Sequence, residues 1–323
     1  MKILYGYKNV KGELRDPIVA IGVFDGIHLG HKRIIRKVLG LRERGRDKVV
    51  MTFDPHPQTV LRPEKTPPRI MSLDHRLLIL EKMGIDAAVV IRFTDFIAMM
   101  RPEDFVKRVI LGIGARKVYV GSNFHFGRAK SGDAEAFRKI GGRLGVEVNI
   151  VPPVKQNRKV ISSTWVRKLV TAGRIEKAEK LLRRPVSVLG TVVKGAERGR
   201  SFGLPTANVD PHQEVIPPPG VYAVKVDIDG TLYDGVLNIG FRPTFYGRGA
   251  RRKEPHIEAH VLEYDGDLYG KTVEIFFIKR LRRERRFRHE EALARQIRKD
   301  VGKARKLLTS RKILLKIRKY KYI

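Results

Sequence analysis

The chain of 323 residues contains no cysteine. Without thiols it has no disulfide framework and gives no sign of an oxidising compartment, and a structural zinc site lacks its usual ligands. No apolar run approaches the roughly 18 residues of a membrane helix. The apolar N-terminal segment is too short for a signal peptide, and the residues after it are too polar. We therefore expect a soluble cytoplasmic protein with no membrane partner.

Acidic residues are also scarce. Lys and Arg number 67 against 34 Asp and Glu, which gives a net charge of +33. The excess is concentrated in residues 279–323, with 19 basic and 4 acidic residues. Such a bias favours anionic partners, whether nucleotides, nucleic acid or an anionic membrane, but it also fits a basic surface that is only solvated. Residues 311–319 interleave cations with apolar residues, which suits either an exposed terminus or a short amphipathic helix on RNA or a membrane.

A complete P-loop is absent as well. The segment Tyr269-Gly270-Lys271-Thr272 has the look of the end of that motif, but Asp265 stands where its first glycine is required. A strand-like run follows it, where the motif needs a helix. We therefore expect Lys271 to be a turn residue.

The most informative stretch lies near the N-terminus. Residues 18–23 form a continuous apolar run, typical of a buried parallel strand. A glycine-containing turn follows, and residues 32–41 then carry apolar side chains at helical spacing. Strand, turn and helix in this order direct backbone N–H groups and a positive helix end towards a phosphate. His28 would lie in the turn and His31 at the helix start, unless the pair is incidental or half of a metal site.

Alternating strands and helices continue to about residue 184 and predict a parallel α/β sheet. The expected strands are 18–23, 48–53, 87–91, 117–121 and 146–151, and the expected helices are 32–41, 72–83, 101–111, 133–144 and 165–172. Two prolines should keep residues 54–57 out of a helix. Ligands of such sheets bind at the carboxyl ends of the strands. The residues placed after strands or before helices, as this rule requires, are His28, Asp54, Asn123 and Ser163.

From residue 186 the pattern changes to short β-type runs separated by turns. These runs are 187–193, 221–228, 231–239, 256–262 and 272–278. Asp229-Gly230 between two of them is a strong hairpin signal. The pattern predicts a small antiparallel domain, most simply a barrel, followed by a basic helix over 288–308. We place the boundaries at 1–184, 185–308 and a basic tail, 309–323.

The motifs along both halves resemble those of prokaryotic bifunctional riboflavin kinase/FAD synthetases, over about residues 15–305. In the first half they are Gly-Val-Phe-Asp-Gly-Ile-His-Leu-Gly-His at 22–31, Thr-Phe-Asp-Pro-His-Pro at 52–57, Gly-Ser-Asn-Phe-His-Phe-Gly at 121–127 and Ile-Ser-Ser-Thr-Trp-Val-Arg at 161–167. In the second half they are 199–208, 238–244, 258–260 and 267–270, followed by Arg282, Glu284 and Phe287 in an Arg-x-Glu-x-x-Phe pattern. The resemblance implies an α/β nucleotidyltransferase domain with a Rossmann-like parallel sheet, then a small antiparallel β-barrel with a terminal helix. Nothing in the family pattern matches the extension after Arg305.

For the first half, the resemblance implies transfer of AMP from ATP to FMN, giving FAD and pyrophosphate. An in-line attack on phosphorus needs positioning and charge neutralisation, and His28 and His31 would donate hydrogen bonds to the triphosphate. The implied ATP and phosphate residues are Gly22, Phe24, His28, His31, Ser163 and Arg167, with Asp54, Asn123 and Phe124 at the flavin or nucleotide edge. The family often has Asp in place of Asn123, so a direct metal role there is not expected. Phe124 as a core residue and Ser162 as a simple helix cap remain open alternatives.

For the second half, the resemblance implies phosphorylation of the ribityl hydroxyl of riboflavin by ATP with Mg²⁺. Glu258 is the candidate base, and Thr206 and Asn208 offer uncharged oxygens to the metal. The implied kinase residues are Gly199, Arg200, Gly203, Pro205, Thr206 and Asn208 for Mg-ATP, and Arg282, Glu284 and Phe287 for the flavin. Strand alternation puts His256, Glu258 and His260 on one face. If that face is open solvent, Glu258 is an ordinary surface acid.

The expected partners are therefore riboflavin, FMN and ATP, with FMN and FAD as products and a monomer or weak oligomer as the working state. Two other functions stay open at this point. One is an enzyme with a single active half. The other is a nucleic-acid-binding protein on the same scaffold, suggested by the charge of +33.

Overall fold

The chain forms two compact units, Met1–Pro68 with Leu73–Ser163, and Arg69–Ser72 with Thr164–Ile323. The computed structural model describes residues 1–8, 10, 12–41, 43, 45–194, 206–245, 251–285, 287, 289–310 and 313. Most of the predicted tail, 309–323, lies outside this described part. Within it, no helix is long and apolar enough to cross a membrane.

A parallel sheet is the centre of the first unit. The strands of this half are β1 (Lys2–Tyr5), β2 (Ile18–Ile21), β3 (Lys48–Asp54), β4 (Ala87–Arg92), β5 (Lys117–Gly121), β6 (His125–Phe126), β7 (Gly132–Asp133), β8 (Glu147–Val151), β9 (Lys155–Gln156) and β10 (Lys159–Val160). Six of them form one sheet in the order β1-β4-β3-β2-β5-β8, and every pairing is parallel. β2, at the middle, is wholly buried. The predicted parallel α/β fold is confirmed, with β1 as an additional edge strand that the sequence did not indicate.

The helices follow the predicted alternation with some corrections. They are α1 (Leu29–Leu39), α2 (Pro57–Leu61), α3 (Leu73–Lys82), α4 (Asp95–Ala98), α5 (Pro102–Asp104), α6 (Ala134–Arg143), α7 (Ser163–Thr171), α8 (Ile175–Leu182) and α9 (Glu290–Leu308). The predicted helix 101–111 is a short α5 that continues as a π-helix, Phe105–Ile110. The expectation that 54–57 lies outside any helix was wrong at its end, because α2 begins at Pro57. Proline is tolerated there since the first helical N–H has no intrahelical partner. The sequence did not indicate α8.

A closed antiparallel barrel dominates the second unit. Its strands are β11 (Val186–Val193), β12 (Ala207–Pro211), β13 (Gly220–Ile228), β14 (Thr231–Phe245), β15 (Arg251–Val261) and β16 (Thr272–Arg282), in the order β11-β12-β15-β14-β13-β16. The predicted hairpin is present. Ile228 pairs with Thr231, and both turn residues have positive φ, 49° at Asp229 and 87° at Gly230, as a tight primed turn requires. The sequence analysis did not predict β12, and it predicted β14, β15 and β16 shorter than they are.

The terminal helix α9 covers one side of this barrel. Ala304 and Leu308 are fully buried against Val221, Ala223 and Val236. The apolar positions of α9 recur at helical spacing, so one stripe lies on the barrel while the charged residues between them stay exposed. The barrel with a terminal helix that the resemblance implied is therefore confirmed.

Candidate active sites

His28 caps the N-terminus of α1. Its Nδ1 accepts hydrogen bonds from the backbone N–H groups of Gly30 at 3.2 Å and His31 at 3.4 Å. A Cβ on Gly30 would lie 3.0 Å from the His28 ring, so a side chain here would press on the capping imidazole. A neutral imidazole carries one N–H, and accepting at Nδ1 places that proton on Nε2. His28 thus combines a helix cap with a donor at a helix end that favours anions.

His31 lies directly against His28. The two rings stack with centroids 3.7 Å apart and an angle of 18° between their planes. His31 Nδ1 is buried and has no hydrogen-bond partner in the described part of the chain. Burial, followed by the charges of His28 and Arg76, holds the pKa of His31 well below its usual range. His31 is therefore neutral at pH 7, and the stacked pair does not carry two positive charges.

Phe24 packs inside this turn against His31. Its backbone has a φ of 54° and its side chain is fully buried, with the ring edge-on to His31 at 5.3 Å between centroids. A Cβ on Gly22 would come within 3.0 Å of the Phe24 ring, so Gly22 leaves the space that this ring fills. Phe24 as a whole has no exposed surface, so in this structure neither its ring nor its backbone is open to a nucleotide.

The start of α7 is attached to the same turn. The Ser163 hydroxyl donates a hydrogen bond to the backbone carbonyl of Asp25 at 2.8 Å. A serine hydroxyl has one proton, so in this arrangement Ser163 is an acceptor, and not a donor, for any additional ligand. Arg167 lies one helical turn further along α7 and is half-buried.

Two further predicted residues lie at the carboxyl ends of strands, on the same edge of the sheet as the histidine turn. Asp54 ends β3, and Asn123 follows β5, while β2 lies between these strands and leads into the histidine turn. Asn123 is exposed. Phe124 is half-buried and stacks on Phe126 with centroids 5.6 Å apart, as part of the aromatic packing of the core. The structure thus gives Phe124 a packing role.

In the barrel, Glu258 lies between two asparagines. It pairs in register with Asn208 on one neighbouring strand and with Asn238 on the other. His256 and Glu258 share a face, as alternation predicted, and His256 Nε2 lies 2.6 Å from Glu258 Oε1. The Glu258 side chain is 33% exposed. A carboxylate with an imidazole partner and two flanking amides is more than an isolated surface acid.

Asn208 is the most telling of these residues. It is 5% exposed, and its Oδ1 is buried without a hydrogen-bond partner among the described residues. A buried amide oxygen left without a partner is costly, and it suits an oxygen-seeking cation. Thr206 precedes β12 and is half-buried. The other predicted Mg-ATP residues, Gly199, Arg200, Gly203 and Pro205, lie outside the described residues.

Glu284 approaches this row of side chains from the chain after β16. Its Oε1 would be 2.6 Å from a Cβ placed on Gly240, and Gly240 pairs directly with His256. The Glu284 carboxylate thus lies over Gly240, in space that a side chain at this position would share. Gly240 lies two residues from Asn238 along β14, next to the pair that Asn238 forms with Glu258.

Arg282 is held by α9 and lies over the ring of Phe287. Arg282 Nε donates to Asp300 Oδ2 at 2.8 Å, and Asp300 is only 1% exposed. Gln296 Nε2 donates to the other carboxylate oxygen at 2.9 Å. The guanidinium groups of Arg282 and Arg285 lie 5.7 Å and 4.5 Å from the centre of the Phe287 ring. A buried carboxylate on α9 thus holds Arg282, which in turn lies over the ring of Phe287.

Sequence reasoning missed Asn238, His256 and Asp300 as site residues. Asn238 belongs to a quoted motif, but only the register shows that it faces Glu258. His256 was placed on the correct face, without a role. Within the described ranges, no group of three or more His, Asp and Glu side chains has the arrangement of a metal site.

Comparison with known proteins matches both halves. The family model described as FAD synthetase matches residues 10–165, and the one described as riboflavin kinase matches residues 182–308. The bifunctional riboflavin kinase/FMN adenylyltransferase of Bacillus subtilis is 34% identical over 94% of this chain and 96% of its own length. The protein of the same description from Pseudomonas fluorescens is 36% identical over 95% and 98%. A crystal structure described as a macrolide-efflux protein from Streptococcus pneumoniae has a TM-score of 0.80 at 30% identity, covering 94% of this chain and 99% of that one.

Proposed function

The chain belongs to the bifunctional riboflavin kinase/FMN adenylyltransferase family, and on that premise we propose which of its residues carry out the two reactions. It phosphorylates riboflavin to FMN with ATP and transfers AMP from a second ATP to FMN, giving FAD and pyrophosphate. The observation that supports this assignment best is that the two matched regions contain the two polar clusters described above.

For adenylyl transfer, His28 is the donor to the phosphates through Nε2–H. The N-terminus of α1 adds backbone N–H groups and the positive end of the helix dipole. His31, neutral and stacked on His28, adds a second imidazole without a second charge. Negative charge that develops on the leaving pyrophosphate is stabilised by such preset donors. Arg167 on α7 is a further phosphate partner, and Asp54 and Asn123 border the flavin or nucleotide.

For riboflavin phosphorylation, Glu258 is the general base that removes the proton of the ribityl hydroxyl. His256 donates a hydrogen bond to its carboxylate and so orients it. Arg282, Glu284 and Phe287 lie on the flavin side. Glu258 has the ordinary requirements of such a base, which are a carboxylate, an orienting partner and an approach for substrate.

Asn208 Oδ1 and the Thr206 hydroxyl are the proposed protein ligands of Mg²⁺. The buried and unpartnered Oδ1 fits this role, since Mg²⁺ takes few protein oxygens alongside water and phosphate. When bound, the metal would neutralise charge on the nucleotide phosphates. Asn208 itself would hold one coordination position and fix the nucleotide relative to Glu258.

Three coarser features complete the proposal. The boundary between the activities lies at 184/185, although residues 164–184 group with the barrel unit by their contacts. The working state is a monomer or weak oligomer, which sedimentation would test. A cytoplasmic location stays a prediction, to be tested by fractionation.

The experiment uses His28→Asn. Asparagine is a good N-cap, so it keeps the cap of α1 but lacks the Nε2 donor. FAD formation from FMN and ATP should fall by about 10²–10³, the usual cost of losing one transition-state donor. FMN formation by the same preparation should stay at the parental rate. Loss of FAD formation together with urea unfolding of the first unit at a much lower concentration would show that His28 serves folding, and retention of both activities would remove the assigned donor.

A further inference from the structure

A buried arginine lies beneath the adenylyl-transfer cluster without belonging to it. Arg76 is on α3 and is only 3% exposed. Burying a guanidinium is costly unless its hydrogens find acceptors. The acceptors that it uses therefore indicate what it is there to hold.

Two of these acceptors lie at the end of β3. Arg76 Nη1 donates to Thr52 Oγ1 at 2.8 Å and to the backbone carbonyl of Phe53 at 3.1 Å. Thr52 is fully buried, and its hydroxyl donates to the carbonyl of Val23 at 3.1 Å. A hydroxyl has one proton and accepts at the same oxygen. Arg76 therefore orients the Thr52 proton towards Val23.

Both ends of this relay lead to predicted site residues. Val23 precedes Phe24, whose ring lies edge-on to His31 at 5.3 Å. Phe53 precedes Asp54. The guanidinium thus binds the end of β3 directly and is linked through the Thr52 hydroxyl to Val23, which follows β2. We infer that this link sets the spacing of the two loops that leave these strands.

The charge of Arg76 also reaches the cluster. It is the third contribution, after burial and His28, that holds the pKa of His31 below its usual range. Since His31 Nδ1 has no hydrogen-bond partner in the described part, no described acceptor opposes this effect at that atom. The same side chain therefore acts on the turn both mechanically and electrostatically.

We propose that Arg76 is a positioning residue for adenylyl transfer, which holds the histidine turn through Thr52 and Val23 and the Asp54 loop through Phe53. The inference rests on the proposed role of His28 and His31. It predicts that a residue remote from the phosphates controls the rate of FAD formation without contributing to FMN formation.

Three variants separate the parts of this proposal. Thr52→Val removes the relay hydroxyl with little change of shape and leaves the arginine charge in place. Arg76→Met removes both the hydrogen bonds and the charge. Arg76→Lys keeps the charge with fewer directed hydrogens. Asp74→Asn, an exposed change on the same helix, is the matched control.

We expect kcat for FAD formation to fall by about 10²-fold in Arg76→Met, the cost of a misplacement of about 1 Å. It should fall by about 10-fold in Thr52→Val, an order-of-magnitude expectation for a lost orienting contact, and Arg76→Lys should recover part of the loss. The KM for ATP should change far less than kcat. In histidine NMR titrations, with His31→Gln used to assign the signal, the midpoint of His31 should rise in Arg76→Met and stay near the parental value in Thr52→Val.

Urea unfolding of the same preparations reports whether the first unit is folded in each variant, because FMN formation belongs to the barrel unit. Parental kcat for FAD formation in both Arg76→Met and Thr52→Val would overturn the proposal, as would equal loss of both activities in Thr52→Val. An unmoved His31 midpoint in Arg76→Met would overturn its electrostatic part. If His31→Gln itself forms FAD at the parental rate, the assigned site fails, and the titration would still show whether Arg76 acts on His31.

Discussion

Replacing Glu258 by glutamine tests the assignment of Glu258 as the general base. Both the sequence pattern and the structure bear directly on this assignment. Glutamine keeps the size of the side chain and can still accept a hydrogen bond from His256 Nε2, which lies 2.6 Å from the carboxylate. It cannot take up the proton of the attacking hydroxyl. The change therefore removes general-base chemistry and leaves the row formed with Asn208 and Asn238 in place.

The size of the effect follows from two contributions. Loss of a general base costs about 10²–10⁴ in rate, equivalent to about 3–5 kcal/mol of transition-state stabilisation at about 1.4 kcal/mol per decade. The Glu258 side chain is 33% exposed, so its interaction with His256 is screened and contributes no more than about 1 kcal/mol to folding. The loss should thus appear in kcat, with little change in the free energy of unfolding.

The assay is FMN formation from riboflavin and ATP, separated by chromatography, with FAD formation from supplied FMN measured in parallel. FAD formation should be unchanged, and the KM for ATP should change little. His260→Gln, two residues further along the same face of β15, is the matched control and should keep the parental rate. Asn208→Ala should differ from both by raising the KM for Mg-ATP as well as lowering kcat. A Glu258→Gln enzyme that makes FMN at the parental rate would show that Glu258 is a surface acid.

Three other predictions concern stability, the tail and the boundary. Burial holds the pKa of His31 below its value in the unfolded chain, so unfolding takes up a proton at any pH between the folded and unfolded pKa values. The free energy of unfolding should therefore fall as the pH drops below about 6.5. Urea unfolding at several pH values should show this fall, and His31→Gln should reduce it. Deleting 309–323 should leave both reactions intact, and any nucleic-acid binding by the tail should weaken steeply with salt and show no sequence preference; salt-insensitive, selective binding would contradict this. A fragment of residues 185–323 should make FMN, and one of 1–184 should make FAD from FMN; if only a fragment beginning at 164 folds, the boundary is wrong.

The sequence was most informative where one short segment specifies a local structure. The apolar run before His28, the glycines of its turn and the periodic helix after it are all contiguous, so strand, turn and helix could be predicted together. The Asp229-Gly230 hairpin is equally local, since both turn residues need positive φ. β12 was missed because residues 207–211 give only a brief apolar signal, and its identity as a strand comes from pairing with β11 and β15.

The kinase cluster could not be assembled in the same way. Asn208, Asn238, Glu258 and Glu284 are far apart in the chain, and each is ordinary when taken alone. Strand alternation fixes which face a side chain takes, but only the register fixes which side chains are neighbours. A shift of one residue in one pairing would have sent the candidate base to the interior face of the barrel.

Two buried charged residues, Arg76 and Asp300, could have been recognised from the sequence as residues that need partners. Arg76 follows Leu73 by three residues and precedes Leu80 by four, and Asp300 has the same relation to Ile297 and Ala304. Each charge therefore falls on the apolar stripe of its helix, where a charged side chain is expected to be buried and hydrogen-bonded. Periodicity thus predicts that both residues need partners. Because those partners, Thr52 and Arg282, lie on other elements, the tertiary structure is needed to show which candidate site each buried charge lies beside.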